Sequence, residues 1–202
     1  MSVVGATPRL PLADSQPAER EDAARNRALL LEAARRLIAE RGADAVTMDD
    51  IAQAAGVGKG TVFRRFGSRA GLMLVLLDED ERAVQQAFMF GPPPMGPGAP
   101  PLDRLVAFGR ARIAFAHAHH ELLSAAARDP QLRSNEAAMV QRRHIHHLLE
   151  SAGTTGDLDA QTDALMALLT ADYVEHRLTV DGLTLEQLGD AWESLATKLC
   201  GR

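Results

Sequence analysis

Thr47-Met48-Asp49-Asp50-Ile51-Ala52-Gln53-Ala54-Ala55-Gly56-Val57-Gly58-Lys59-Gly60-Thr61-Val62-Phe63-Arg64-Arg65-Phe66-Gly67-Ser68-Arg69 is the stretch whose reading decides the fold. Thr47 has an acid, Asp50, three residues on. In that arrangement a hydroxyl caps a helix start and the side chain at the third helical position reaches back. A short helix through Ala54 follows, with Ile51 and Ala54 facing inward, and Gly56 ends it. A second helix, Gly58 to Phe66, begins after a turn of only about three residues, the connection length of a helix-turn-helix unit. Ile51, Ala55, Val57, Val62 and Phe66 supply the small core of this unit. Ser68 is placed to cap the next helix, Arg69 to Phe88.

Upstream, Leu29, Leu30, Ala33, Ala34, Leu37 and Ile38 recur at steps of three and four between Arg25 and Arg41, which predicts an amphipathic helix stopped by Gly42. Downstream, the glycines and prolines of Gly91 to Pro101 cannot continue a helix and predict a loop. Further helices are predicted over Leu102–His120, Leu122–Arg128, Glu136–Ala152, Leu158–Val180 and Leu185–Leu199. Turn residues separate them at Asp129-Pro130, Gly153 to Gly156 and Asp181-Gly182. No segment alternates as a strand does, and no repeat or heptad run is present. The expected fold class is all-α, with a helix-turn-helix domain over 25–71 and a helical domain over 72–202. Residues 1–24, which mix Pro, Ala and acids, are expected to be a disordered tail.

The glycines around Lys59 raise the question of a phosphate loop, which needs a glycine five residues before its Gly-Lys pair and Ser or Thr directly after the lysine. Gln53 and Gly60 occupy those positions. A dinucleotide fingerprint needs a preceding strand, where this sequence predicts a helix, so nucleotide binding is rejected. The alternative is geometric: a helix, a tight turn and a second helix rich in cations and small residues form a unit that enters the major groove of DNA. Charge distribution agrees. The chain as a whole carries −5, yet Arg25 to Gly71 holds nine basic residues against five acids, a surplus of four, leaving −9 for the remainder. A basic N-terminal module on an acidic remainder predicts that only the first part meets a polyanion.

The quoted stretch resembles the DNA-binding signature of the tetracycline-repressor (TetR) family over its whole length, and the resemblance extends over roughly Arg25 to Leu77. It implies a one-component regulator that binds double-stranded operator DNA as a homodimer. The expected DNA-contacting set is Thr47, Gly58, Lys59, Gly60, Thr61, Phe63, Arg64, Arg65 and Arg69. Gly60 lacks a side chain and lets the recognition helix approach the groove, while Lys59 and Arg64 can reach base edges or phosphates. By the resemblance Thr47, Thr61 and Arg69 touch phosphates, Thr47 and Arg69 from helix starts, where free amides favour anions. Phe63 stands where the family usually has tyrosine, and Arg65 where histidine or an aromatic is common. The first change removes a hydroxyl and the second adds a permanent cation. Asp49 repels phosphate unless it accepts from a cytosine amine; the other reading is a solvated acid favoured by the helix dipole. Arg35, Arg36 and Arg41 are read as a solvated face.

The second half of the chain holds all seven histidines. His117 with His120, and His144 with His147, have the spacing to share a metal on a helix face, but no HExxH pair accompanies them. No metal and no cofactor are expected. A small-molecule pocket needs an apolar lining with a few polar anchors, and Phe108, Arg112, Phe115, His119, Met139, Met166, Tyr173 and His176 are the candidates, with plain core as the other reading of each Phe and Met. Two apolar stripes recur near the C-terminus. One holds Ala164, Leu165, Leu168, Leu169, Ala171 and Val174, the other Leu185, Leu188, Ala191, Trp192, Leu195 and Leu199. They form a hairpin that pairs with a second copy as a four-helix bundle, as the resemblance implies, or else packs within its own subunit. The lone Cys200 excludes an intrachain disulfide and fits a reducing cytoplasm. Residues 1–22 read as neither signal peptide nor membrane span. Two rival readings are a helical metal-dependent enzyme built on the histidines and a DNA-binding dimer without a ligand.

Overall fold

The computed structural model describes residues 15–42, 45–121, 123 and 135–201. Among these the protein is all-α, as the sequence predicts, with no strand. Its helices are α1 (Ser15–Arg41), α2 (Met48–Ala54), α3 (Lys59–Phe66), α4 (Arg69–Phe90), α5 (Pro101–Ala118), α6 (Asn135–Ser151), α7 (Leu158–Ala167), α8 (Ala171–Thr179) and α9 (Leu185–Leu199). The chain divides into two compact units, and the division falls within α4 between Leu76 and Leu77, where the sequence suggested a boundary after Gly71.

In the first unit Leu30, Ala33, Ala34 and Leu37 of α1 are buried with Met48, Ile51 and Ala52 of α2, Val62 and Phe66 of α3, and Leu72 and Leu76 of α4. Ile51, Val62 and Phe66 fill the core as expected, while Ala55 and Val57 lie at its edge. Ala54, expected to face inward, is exposed. Met48, Ile51, Ala52 and Ala55 recur at steps of three and four, so the inner stripe is centred between Ile51 and Ala52 and Ala54 falls outside it. The chain reverses between α3 and α4 at Gly67, whose φ of 71° suits glycine. Gly71 packs so closely under Phe66 that an added Cβ would stand 2.1 Å from its carbonyl oxygen.

The second unit is organised on α5 and α9. The Trp192 ring lies against the bare backbone of Gly109, where a Cβ would come within 1.9 Å of the indole, and its Nε1 donates to the Leu105 carbonyl at 2.9 Å. Phe88, Phe108, Ile145, Leu148, Leu149, Leu165 and Val174 complete the core. Arg104 donates to the carbonyls of Phe88 and Met95, tying the Gly91–Pro100 loop to α5. Pro101 opens α5 in the first turn, where the missing N–H costs nothing.

Two helix boundaries differ from expectation. α1 begins at Ser15, before the predicted start at Arg25 and inside the segment read as a disordered tail. The run Ala18-Glu19-Arg20-Glu21-Asp22-Ala23-Ala24-Arg25 consists largely of good helix formers, and Pro17 sits in the first turn, where proline is tolerated. The single helix predicted over Leu158–Val180 is two, α7 and α8. Thr170 takes an extended conformation (φ −71°, ψ 144°) as the N-cap of α8, and its hydroxyl donates to the Ala167 carbonyl at 2.9 Å. A threonine at a helix start outweighs the apolar periodicity that runs through it. The helix expected over Leu122–Arg128 and the turn at Asp129-Pro130 lie outside the described residues, apart from Leu123, which is helical.

His144 is buried between the Phe88 and Phe108 rings, with centroids at 4.4 and 5.0 Å, and its Nε2 has no hydrogen-bond partner among the described residues. Burial, with smaller contributions from Arg104 and His147, pushes its pKa down from 6.5 to about 4. The folded imidazole is therefore neutral over a range in which the unfolded chain takes up the proton. Stability falls as pH drops from about 6.5 to 4, with no further loss from this group below that. The melting temperature of the protein is expected to drop more between pH 7 and pH 5 than that of His144→Leu; equal drops would show that another group titrates.

Candidate nucleic-acid interface

The sequence builds this surface from its caps. Thr47 is the N-cap of α2, with the reciprocal box in place: the Asp50 amide donates to Thr47 Oγ1 at 3.2 Å and the Thr47 amide to Asp50 Oδ2 at 2.9 Å. The Thr47 hydroxyl also donates to Asp50 Oδ2 at 2.6 Å. These hydrogen bonds, aided by Arg41, hold the Asp50 carboxyl below the usual carboxylate range. Thr47 thus donates its only hydroxyl hydrogen to Asp50, and donation to a phosphate through the hydroxyl requires that hydrogen bond to be exchanged.

α3 follows with an unobstructed outer face. Gly58 and Gly60 are exposed, and an added Cβ at either would meet nothing within 4 Å. Lys59, Phe63, Arg64 and Arg65 are all exposed, Phe63 by 40%, while Val62 and Phe66 point into the core. The helix therefore presents one apolar edge to its own unit and one face of cations and bare backbone to solvent. Thr61, Arg64, Arg65 and Asn26 of α1 line a recess of about 280 Å³ beside it. Asn26 was not found from sequence, because a single polar residue on the outer side of α1 carries no local signal.

Lys59 is held from two sides. Its Nζ lies 2.6 Å from Asp49 Oδ2, and 5.8 Å from the centroid of the Phe63 ring. Asp49, read from sequence as a solvated acid or a base-contacting one, is thus the carboxylate partner of a principal base-reading candidate. Arg69, at the start of α4, donates from Nε to the Val46 carbonyl at 3.1 Å, which locks the segment before α2 to the start of α4. The Ser68 hydroxyl accepts from the Gly71 amide at 3.1 Å, as its capping role requires. The nine residues expected at a DNA contact are gathered within this one unit. Arg36 and Arg41 instead face Glu40 (4.0 Å) and Asp50 (3.7 Å).

The pocket candidates of the second unit are dispersed. Arg112, buried, donates to Glu81 at 2.7 Å, and Gln141 donates to the other Glu81 oxygen at 2.8 Å. The Arg112 guanidinium lies 4.3 Å from the centroid of Phe115, on which His119 also rests at 4.5 Å. His119 approaches Asp80 at 3.3 Å. Phe108 lies in the core, and Met166 packs against it. Tyr173 lines a separate apolar recess of about 220 Å³ with Ile113, Leu188, Trp192 and Leu195. Met139 is 62% exposed, and His176 is on the surface. Glu81 and Gln141 were missed, since Glu81 belongs to an acidic run, Asp78 to Glu81, that reads as solvated. The histidines meet separate carboxylates: His117 with Glu175 at 3.2 Å, His120 with Asp172 at 3.7 Å. Among the described residues no three His, Cys, Asp or Glu side chains converge as a metal site would need. No helix among them is long and apolar enough to cross a membrane.

Fold and surface together define a helix-turn-helix protein whose second helix, α3, is exposed and cationic, with a further helical unit. Residues 30–76 match the family of bacterial regulatory proteins described as the tetR family. The HTH-type transcriptional regulator TtgR of Pseudomonas putida is 41% identical over 59 residues, 29% of this chain and 28% of that protein, so the chain matches less than a third of the length of that curated relative. A solved TetR-family transcriptional regulator from Rhodococcus sp. aligns over 87% of this chain and 98% of its own at 19% identity, with a TM-score of 0.62. A transcriptional regulator from Saccharomonospora viridis in complex with choline aligns over 85% and 95%, also at 19% identity, with a TM-score of 0.68. Residues 30–76 are thus similar to the DNA-binding segment of the tetR family, and the chain as a whole shares the fold of these solved regulators.

Proposed function

We propose that the protein is a cytoplasmic transcriptional repressor that binds a near-palindromic operator as a homodimer and is released from it by a small molecule. The observation that carries this reading is the outer face of α3. Lys59, Phe63, Arg64 and Arg65 stand exposed beside two glycines whose Cβ positions are empty, inside the segment that matches the family. Such a helix brings charged side chains and bare backbone to base edges and phosphates at once. Two copies related by a two-fold axis would place their recognition helices in successive major grooves, about 34 Å apart.

Pairing through the C-terminal helices is supported by the part of the apolar stripes that the subunit core leaves outside. Leu165, Leu169, Val174, Leu188 and Trp192 are buried, but Ala164, Leu185 and Ala191 remain exposed. Ligand response is supported by the Glu81, Arg112 and Gln141 centre beside Phe115, a small group of polar side chains next to an aromatic ring. It is also supported by the choline bound to the Saccharomonospora viridis regulator of the same fold. Release requires the ligand to bind the two conformations unequally, and a coupling of about 1–3 kcal/mol loosens DNA 5- to 150-fold. The reading is tested by titrating a duplex from the region upstream of the chain's own gene, and a random duplex of equal length at the same salt. A preference of at least about a thousandfold for the first is expected, and equal affinity would contradict repression at that region.

A further inference from the structure

We propose that Asp49 is a specificity-determining residue. With Lys59 it forms an acceptor–donor couple for one G·C base pair, and on other DNA it withholds Lys59 from the phosphates. The proposal rests on the reading of α3 as the recognition helix. The couple joins two helices of the unit: Asp49 stands in the first turn of α2, Lys59 at the start of α3, and Nζ meets Oδ2 at 2.6 Å with the two side chains 62% and 59% exposed. The other carboxylate of that turn, Asp50, is committed to the amide and hydroxyl of Thr47 and faces Arg41. Gly58 and Gly60 leave open space on both sides of Lys59, so no side chain there stands between the couple and a base edge.

An exposed pair of this kind is weak and exchanges readily for other partners. On an arbitrary sequence the carboxylate meets only repulsion from phosphates, and a lysine held beside it neutralises less of the backbone. A G·C pair offers something else: guanine N7 and O6 are adjacent acceptors for the ammonium, and the cytosine N4 amine at the far side is a donor for the carboxylate. An A·T pair sets its one donor between two acceptors, so a carboxylate placed over it also meets a lone pair on a neighbouring atom.

The test uses the full chain, duplexes selected by the wild type from a randomised pool, their single base-pair variants, and a random duplex. The wild type is expected to require G·C at one position in each half-site, with replacement by A·T weakening binding about tenfold. In Asp49→Ala the same replacement should matter less than about threefold, while random-duplex affinity rises about threefold or more and falls more steeply with salt. Asp49→Glu, which keeps the acceptor, should retain the G·C requirement. If Asp49→Ala keeps every base preference of the wild type, or if the wild type requires G·C nowhere, the proposal is overturned. If the wild type selects no sequence at all, the recognition-helix reading falls and the proposal with it. Circular dichroism of each variant separates these outcomes from unfolding, and Asp49→Asn replaces Asp49→Ala if the latter is unstable.

Discussion

Replacing Lys59 and Arg64 together by alanine is expected to weaken sequence-specific DNA binding at least about a hundredfold while leaving the fold intact. Each side chain can make a base contact worth about 1–3 kcal/mol, and a loss of two such contacts exceeds the effect of removing charge alone. Neither contributes to the core: both are exposed, whereas Val62 and Phe66 of the same helix carry its packing. A melting curve unchanged within a few degrees should therefore accompany the loss. Arg36→Ala is the matched control, because Arg36 is exposed, faces Glu40 and lies on another helix. Its removal should change affinity less than about threefold. A double variant that binds as the wild type does would show that α3 is not the reading element.

The largest stability effect is expected from Trp192→Ala. The indole is 2% exposed, it fills the space left by Gly109, and its Nε1 donates to the Leu105 carbonyl inside the core. Truncating a buried aromatic of this size costs about 3–5 kcal/mol. Leaving a buried carbonyl without its donor adds about 1–3 kcal/mol. Much of the stability of an ordinary domain would be lost. Urea denaturation followed by far-ultraviolet circular dichroism checks this, and a loss under about 1 kcal/mol, below the range for any buried aromatic, would mean that α5 and α9 are not joined as described.

The helix-turn-helix unit was legible because its signals are local. Thr47 and Asp50 cap three residues apart, Gly56 and Gly67 punctuate, and Val62 and Phe66 stand one helical turn apart, so helices and exposed cations could be placed from neighbouring residues alone. What escaped depends on partners distant in sequence. The Asp49–Lys59 couple spans ten residues and two helices, and the Arg112–Glu81 pair spans thirty-one. Nothing in the acidic run around Glu81 distinguishes the carboxylate that pairs with Arg112. The break at Thr170 failed for the opposite reason: the signal was local, but Leu165, Leu168, Leu169 and Val174 present a continuous stripe that hides it.

Under the proposed function the exposed face of α3 reads a DNA sequence as part of a symmetric dimer. Selection of bound duplexes from a fully randomised pool, with the wild-type chain at near-physiological salt, tests it with no operator supplied. Enrichment of two inverted half-sites with centres about one helical turn apart is expected, and no enrichment with Lys59→Ala/Arg64→Ala. A wild-type pool that stays random through successive rounds would contradict it.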